Sequence, residues 1–243
     1  MIILTEDGAI PMEAVVQKGR DALQTASLAF PIEEEWRRSI ARGDGVRAVH
    51  WPSKSVLLVG ANVKRGGLYV AFVANTRTGA WARNLGWDMR AAMIANDRFF
   101  FADRAGVVYE GDVSGNDNGM AYRATYAGRP ATFNEQHFCN SVQLMYSSPT
   151  KGSFNLQCFS DYEIGEFVAT DPLSSEGSSN WGSGVWGTFV WGGQDDPTFQ
   201  EWQAAYGRGY ALAPAVTVQC LQDSKPTFEI IATRMRVERG TPL

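Results

Sequence analysis

From residue 48 to residue 113, short apolar runs alternate with turn residues at close spacing, and this rhythm limits the fold more than any other feature of the chain. The runs at 48–51, 55–60, 68–75, 80–83, 91–95, 98–102 and 107–112 are strand-sized and rich in aromatic and β-branched residues. Between them lie Lys64-Arg65-Gly66-Gly67, Thr76-Arg77-Thr78-Gly79, Asn96-Asp97 and Asp103-Arg104-Ala105-Gly106, all residues that tolerate tight backbone geometry. The pattern predicts an antiparallel meander. Residues 91–112 have the strand–turn–strand–turn–strand layout of a propeller blade, with a partial echo at 4–8.

The flanks differ. Ile32, Trp36 and Ile40 recur every four residues, Pro31 suits a first helical turn, and Glu33/Arg37 and Glu34/Arg38 form i,i+4 pairs, so a short helical segment is expected within 11–42. Ile2, Ile3 and Leu4 read as a strand fragment whose pairing partner is expected elsewhere. After the polar stretch 114–119 the pattern changes to period-two alternation: Val142, Leu144 and Tyr146; Phe154, Leu156 and Cys158; Val216, Val218 and Cys220; then Ile231, Met235 and Val237. The fold class expected is mainly β. A partial β-propeller-like meander with a short helical insertion (1–119) precedes a β-sandwich-like platform domain (120–243), which carries a Trp/Gly-rich loop at 172–197.

Composition narrows the function. With 243 residues, 44% of them hydrophobic and 20% charged, the chain is too apolar for disorder and long enough for one or two cores. A net charge of -4 argues against a dedicated nucleic-acid binder. No apolar window reaches membrane-spanning length, and Glu6 and Asp7 interrupt any signal-peptide core, so folding in a cytoplasm is expected. Three widely spaced cysteines (Cys139, Cys158, Cys220) suggest reduced, buried thiols.

Catalytic constellations are not evident. The two histidines, His50 and His137, neighbour no nucleophile motif. Gly182-Ser183-Gly184-Val185-Trp186-Gly187 matches a dinucleotide-binding spacing but follows a polar Ser-rich stretch instead of a strand. Asp112, Ser114, Asn116 and Asn118 alternate like calcium ligands, yet lack the glycine and glutamate an EF-hand loop needs. The acid pairs Glu163/Glu166 and Asp195/Asp196 lie near aromatics, as in a glycosidase, but surface carboxylates are commoner. No enzymatic activity, cofactor or metal is expected.

Two further groups stand out. Trp181, Trp186 and Trp191, each followed directly by glycine, either fill the protein's own core or form an oligomer contact. Arg234 and Arg236, with Glu238, share one face of the last strand, as a solvated face or a channel lining.

Five segments together resemble a known family. They are the run from Leu4 to Pro11; Ala74 to Arg83 with Gly86-Trp87-Asp88; the blade around Asp97-Arg98-Phe99-Phe100; the Trp-Gly-Ser-Gly-Val-Trp-Gly segment; and Gly209-Tyr210-Ala211-Leu212-Ala213-Pro214. They resemble the C-terminal part of short-tailed bacteriophage tail nozzle (tail tubular protein B-like) and packaged-DNA stabilisation hub proteins. The resemblance implies a virion structural protein, made and assembled in the bacterial host cytoplasm, that forms a ring of usually six copies around the DNA ejection channel. Implied partners are further copies, other tail or head–tail proteins, and packaged DNA passing without sequence-specific contact. It also places Met1 inside the propeller, so that another chain or a neighbouring copy supplies the missing pairing, with Ile2, Ile3 and Leu4 at that contact. The alternative function is a tail-tip carbohydrate or cell-surface binding module with Trp and Tyr as stacking platforms.

Overall fold

The computed structural model describes residues 2–5, 8–12, 27–40, 45–148, 153–171, 198–221 and 228–240. It is mainly β, with antiparallel sheets of which none closes into a barrel among the described residues. The chain divides into two compact units, Met1–Asp112 and Val113–Leu243.

The first unit begins with β1 (Ile2–Thr5) and β2 (Gly8–Pro11), paired as a hairpin in which Ile2, Ile3 and Leu4 face Pro11, Ile10 and Ala9 across the ladder. The pairing partner expected elsewhere is therefore local: Thr5 registers with Gly8, and so short a connection closes a hairpin before a distant strand can compete. A 3-10 turn (Phe30–Ile32) leads into α1 (Glu33–Ile40). Trp36 of α1 is fully buried, against Phe72 at 5.9 Å and edge-on to Trp81 at 5.6 Å between ring centroids. Both expected ion pairs form on its exposed side, Glu33 with Arg37 at 2.7 Å and Glu34 with Arg38.

Four strands follow as a meander, β3 (Arg47–Trp51), β4 (Val56–Arg65), β5 (Leu68–Asn75) and β6 (Trp81–Leu85). A second meander is β7 (Ala91–Ala95), β8 (Arg98–Ala102) and β9 (Val108–Gly111). The run Val56-Leu57-Leu58-Val59 is apolar without alternation because β4 is buried on both faces. Leu57 and Val59 join Trp36, Ile40 and Phe72 in one core, whereas Leu58 joins Trp51, Met89, Phe99 and Phe101 in another. Turn chemistry sets the registers: Asn96 and Asp97 both have positive φ, as a two-residue hairpin turn requires. Asp97 also accepts hydrogen bonds from Trp51 Nε1 at 2.7 Å and from Ser53, tying this turn to the end of β3.

The second unit is one five-stranded sheet of β10 (Tyr122–Ala127), β11 (Ala131–Ser147), β12 (Phe154–Ser160), β13 (Thr198–Cys220) and β14 (Glu229–Arg239). The long strand β13 organises it, pairing with β11 through its first half and with β10 and β12 through its second. Although β12 registers with residues 212–218, its Leu156 N–H donates to Gln203 Oε1 at 3.0 Å, and Gln203 Nε2 donates to the Phe154 carbonyl at 3.0 Å. The sheet therefore curls until β12 lies against the first half of its own partner. Two glycines permit the bend. A Cβ on Gly207 would stand 2.8 Å from Cys158 Sγ, and one on Gly209 would stand 2.6 Å from both carboxylate oxygens of Asp161.

Inside the curl, Val142, Leu144, Tyr146, Phe154, Leu156, Cys158, Val216, Val218 and Cys220 form one core, the alternating positions expected from the sequence. The last strand differs in detail. Ile231 is 50% exposed, while Ile230, Met235 and Val237 pack on the core. A register shift between Met145 and Tyr146 of β11 changes the parity of β14 there, which turns Ile231 outward.

Candidate functional site

The outer face of β13–β11–β14 gathers residues that the core of this unit does not use. Along the first half of β13 the odd positions turn inward and the even ones outward, so Trp202, Ala204, Tyr206, Arg208 and Tyr210 form a single column. Trp202 is 52% exposed, Tyr206 80% and Tyr210 56%. The ladder then fixes what lies beside each. Trp202 registers with Gln143 of β11, and Gln143 with Arg234 of β14; Ala204, Ser141 and Arg236 form the next row, and Arg208, Phe138 and Glu238 another. Arg208 lies over the Phe138 ring, its guanidinium carbon 4.9 Å from the centroid, and donates from Nε to Gln136 Oε1 at 2.7 Å.

This face thus carries an aromatic column on β13 and a basic column, Arg234 and Arg236, on β14. The latter is the edge strand of the sheet order among the described residues. Strands lie ~4.8 Å apart, so the two columns run roughly 10 Å from each other. Both arginines are exposed, and Glu238 in the same column is engaged by Asn140 Nδ2 at 2.8 Å. The sequence placed Arg234 and Arg236 on one face, and the register adds Trp202, Tyr206 and Tyr210 to it. These aromatics escaped sequence reading because Gly207 and Gly209 interrupt the alternation and imitate a turn.

The remaining candidates are dispersed. Ile2, Ile3 and Leu4 form the β1–β2 ladder, while Trp181, Trp186 and Trp191, with the Gly182–Gly187 match and Asp195/Asp196, fall outside the described residues. His50 is exposed on β3 opposite Leu57. His137 stacks on Phe133 at 4.1 Å, and its Nδ1 is 2.9 Å from the Glu135 carbonyl. Glu163 and Glu166 are exposed in the segment after β12.

The oxygens of Asp112, Ser114 and Asn116 are engaged within the protein. Asp112 pairs with Lys54 at 2.6 Å, Ser114 Oγ donates to the Asn116 carbonyl, and Asn116 Oδ1 accepts from Gly119 N–H. No group of three or more His, Cys, Asp or Glu side chains suited to a metal exists among the described residues. An apolar recess of about 210 Å³ between β10 and the end of β13, lined by Tyr122, Tyr126, Val218, Phe228 and Ile230 among others, holds no carboxylate or histidine in its lining. No helix among the described residues is long and apolar enough to cross a membrane.

Comparison of the chain with protein-family models and with curated proteins yields no match.

Proposed function

We propose that this chain is a structural component of a bacteriophage tail or head–tail connector, several copies of which form a ring around a DNA conduit in the virion. One observation carries the reading: the paired columns on β13 and β14, large exposed aromatics beside a basic edge strand. Trp and Tyr in this setting are typical of buried subunit contacts, where aromatic residues and arginine are enriched. A neighbouring copy covering Trp202, Tyr206 and Tyr210 would leave the β14 edge, with Arg234 and Arg236, toward the lumen. In this reading the meanders of the first unit are propeller-blade-like and the curled sheet of the second is the sandwich-like platform. The protein works by shape and self-association, without catalysis or cofactor.

The same aromatic column favours a second reading, a tail-tip module that stacks sugar rings on Trp202, Tyr206 and Tyr210. Size and glycan binding separate the two. Native mass spectrometry of the purified chain giving a closed oligomer, with no retention on a glycan array, supports the ring. A 26.7 kDa monomer that binds glycans supports the module.

A further inference from the structure

The first unit carries a basic cluster of its own. Three cations gather on the ring of Tyr69: Lys64 Nζ is 4.7 Å from its centroid, and the guanidinium carbons of Arg90 and Arg104 are 5.7 and 5.6 Å away. Three separate elements bring them there. Lys64 is the penultimate residue of β4, Arg90 precedes β7, and Arg104 lies on the β8–β9 turn. A fourth, Arg47, joins through its Nε, which donates to the Arg90 carbonyl at 3.0 Å.

Charge within the cluster is poorly balanced. Among the described residues the one acid engaged with it is Asp88, whose Oδ1 accepts from Arg90 Nε at 2.9 Å and whose Oδ2 accepts from the Arg104 backbone N–H at 3.3 Å. Lys64 and the Arg104 side chain have no carboxylate partner among the described residues. Since each cation lies within 5.7 Å of one ring centroid, no two are more than roughly 11 Å apart, near the ~8–10 Å screening length of physiological salt, and they repel one another when no anion is present. Arg90 Nη2 is buried and finds no hydrogen-bond acceptor among the described residues, although the side chain as a whole is 24% exposed. An orphan guanidinium nitrogen of this kind is costly to leave unpaired.

The surroundings are open. Gly66, Gly67, Gly86 and Gly106 each face empty space, so backbone as well as side chains is approachable from outside. An enclosed pocket would suit a single caged anion. Cations spread around a half-buried aromatic ring, with Lys64 and Arg104 themselves exposed, suit an extended chain of phosphates instead.

We propose that Lys64, Arg90 and Arg104 around Tyr69 form an anion site that takes backbone phosphates of DNA. The site stands on the cluster itself; the choice of DNA as phosphate bearer rests on the conduit reading. Contact through phosphates is independent of sequence and falls steeply with salt.

The test uses the full chain and a fluorescently labelled 20-bp duplex in ~50 mM salt, read by anisotropy. The double variant Lys64→Gln/Arg104→Gln, at two exposed positions, should weaken binding at least about fivefold and reduce the salt slope by roughly two. Lys64→Arg/Arg104→Lys should retain binding. Inorganic phosphate added at ~10 mM and constant ionic strength should compete weakly, because the polyanion's advantage is the release of many counterions. Unchanged binding in the double variant overturns the proposal, as does full loss in Arg234→Gln/Arg236→Gln alone, and complete displacement by inorganic phosphate reassigns the site to a small anion. Mass photometry on the same samples separates the two claims. A ring that binds no duplex sinks the site alone, and a monomer that binds through Lys64 and Arg104 sinks the ring alone.

Discussion

Trp202 and Arg234 occupy one register row of the sheet, on either side of Gln143. Gln143 itself is buried although its row faces outward. The aromatic and basic columns are therefore a consequence of strand register, and a shift of one residue in either ladder would turn one column inward.

If the aromatic column is a subunit contact, truncating it should weaken assembly and leave the fold intact. Trp202→Ala with Tyr206→Ala is expected to cost about 2 kcal/mol or more of association, roughly thirtyfold in dissociation constant. The melting temperature of the dissociated chain should move little, since both side chains are exposed. Sedimentation velocity and calorimetry on the same variant check both parts.

The bend of β13 depends on missing side chains. Gly209→Ala places a Cβ against the carboxylate of Asp161, which accepts the Tyr210 and Ala211 N–H groups at 2.7 and 3.0 Å. Overpacking of this kind costs about 1–3 kcal/mol. Gly165→Ala, where a Cβ would meet only Phe159 at ordinary contact distance, should change stability by less than ~0.5 kcal/mol. Urea denaturation of both variants measures the contrast.

Acid should loosen the first unit. Burial of Glu35 opposes its ionisation, but Arg65 and Arg83 both bond to it and hold the carboxyl below its ordinary range. Hydrogen bonds from Ser53 and Trp51 do the same for Asp97, and the bond from Arg98 does so for Glu110. A carboxyl lowered in the folded state contributes stability above its unfolded pKa and loses it as pH falls through the folded value. The melting temperature should stay level from pH 7 to about 5 and fall below roughly pH 4.5. Glu35→Gln should flatten part of that fall, whereas a melting temperature that rises on acidification contradicts the assignment.

The thiols should be inert while the chain is folded. Cys139, Cys158 and Cys220 are free and buried. A hydrogen bond with Cys139 and burial push the Cys158 thiol up, and burial pushes Cys220 up, so little thiolate forms at either. The same hydrogen bond from Cys158 holds the Cys139 thiol below its ordinary range, so the protection of Cys139 rests on its burial. A thiol reagent at pH 8 should modify the native protein slowly and modify all three cysteines after denaturation. Rapid stoichiometric labelling of the native form would contradict this.

Much of the fold was legible where burial has a single period. Val142, Leu144 and Tyr146 alternate against polar neighbours, and all three are fully buried. Ile32, Trp36 and Ile40 marked α1 because four-residue spacing puts them on one helical face. Legibility failed where long-range geometry overrides local pattern. The outward aromatics of β13 look as apolar as its core residues, and Ile231 turns outward only because of a register irregularity in its ladder with β11. The Tyr69 cluster gave no sequence signal, since Lys64, Arg90 and Arg104 come from three turns or strand ends that only the tertiary fold brings together.

The most direct measurement of the central claim is the mass of the purified chain at micromolar concentration by mass photometry, with particles imaged by negative-stain electron microscopy. The account predicts closed rings at an integral multiple of 26.7 kDa that Trp202→Ala breaks down. Solitary 26.7 kDa particles across salt and concentration would contradict it.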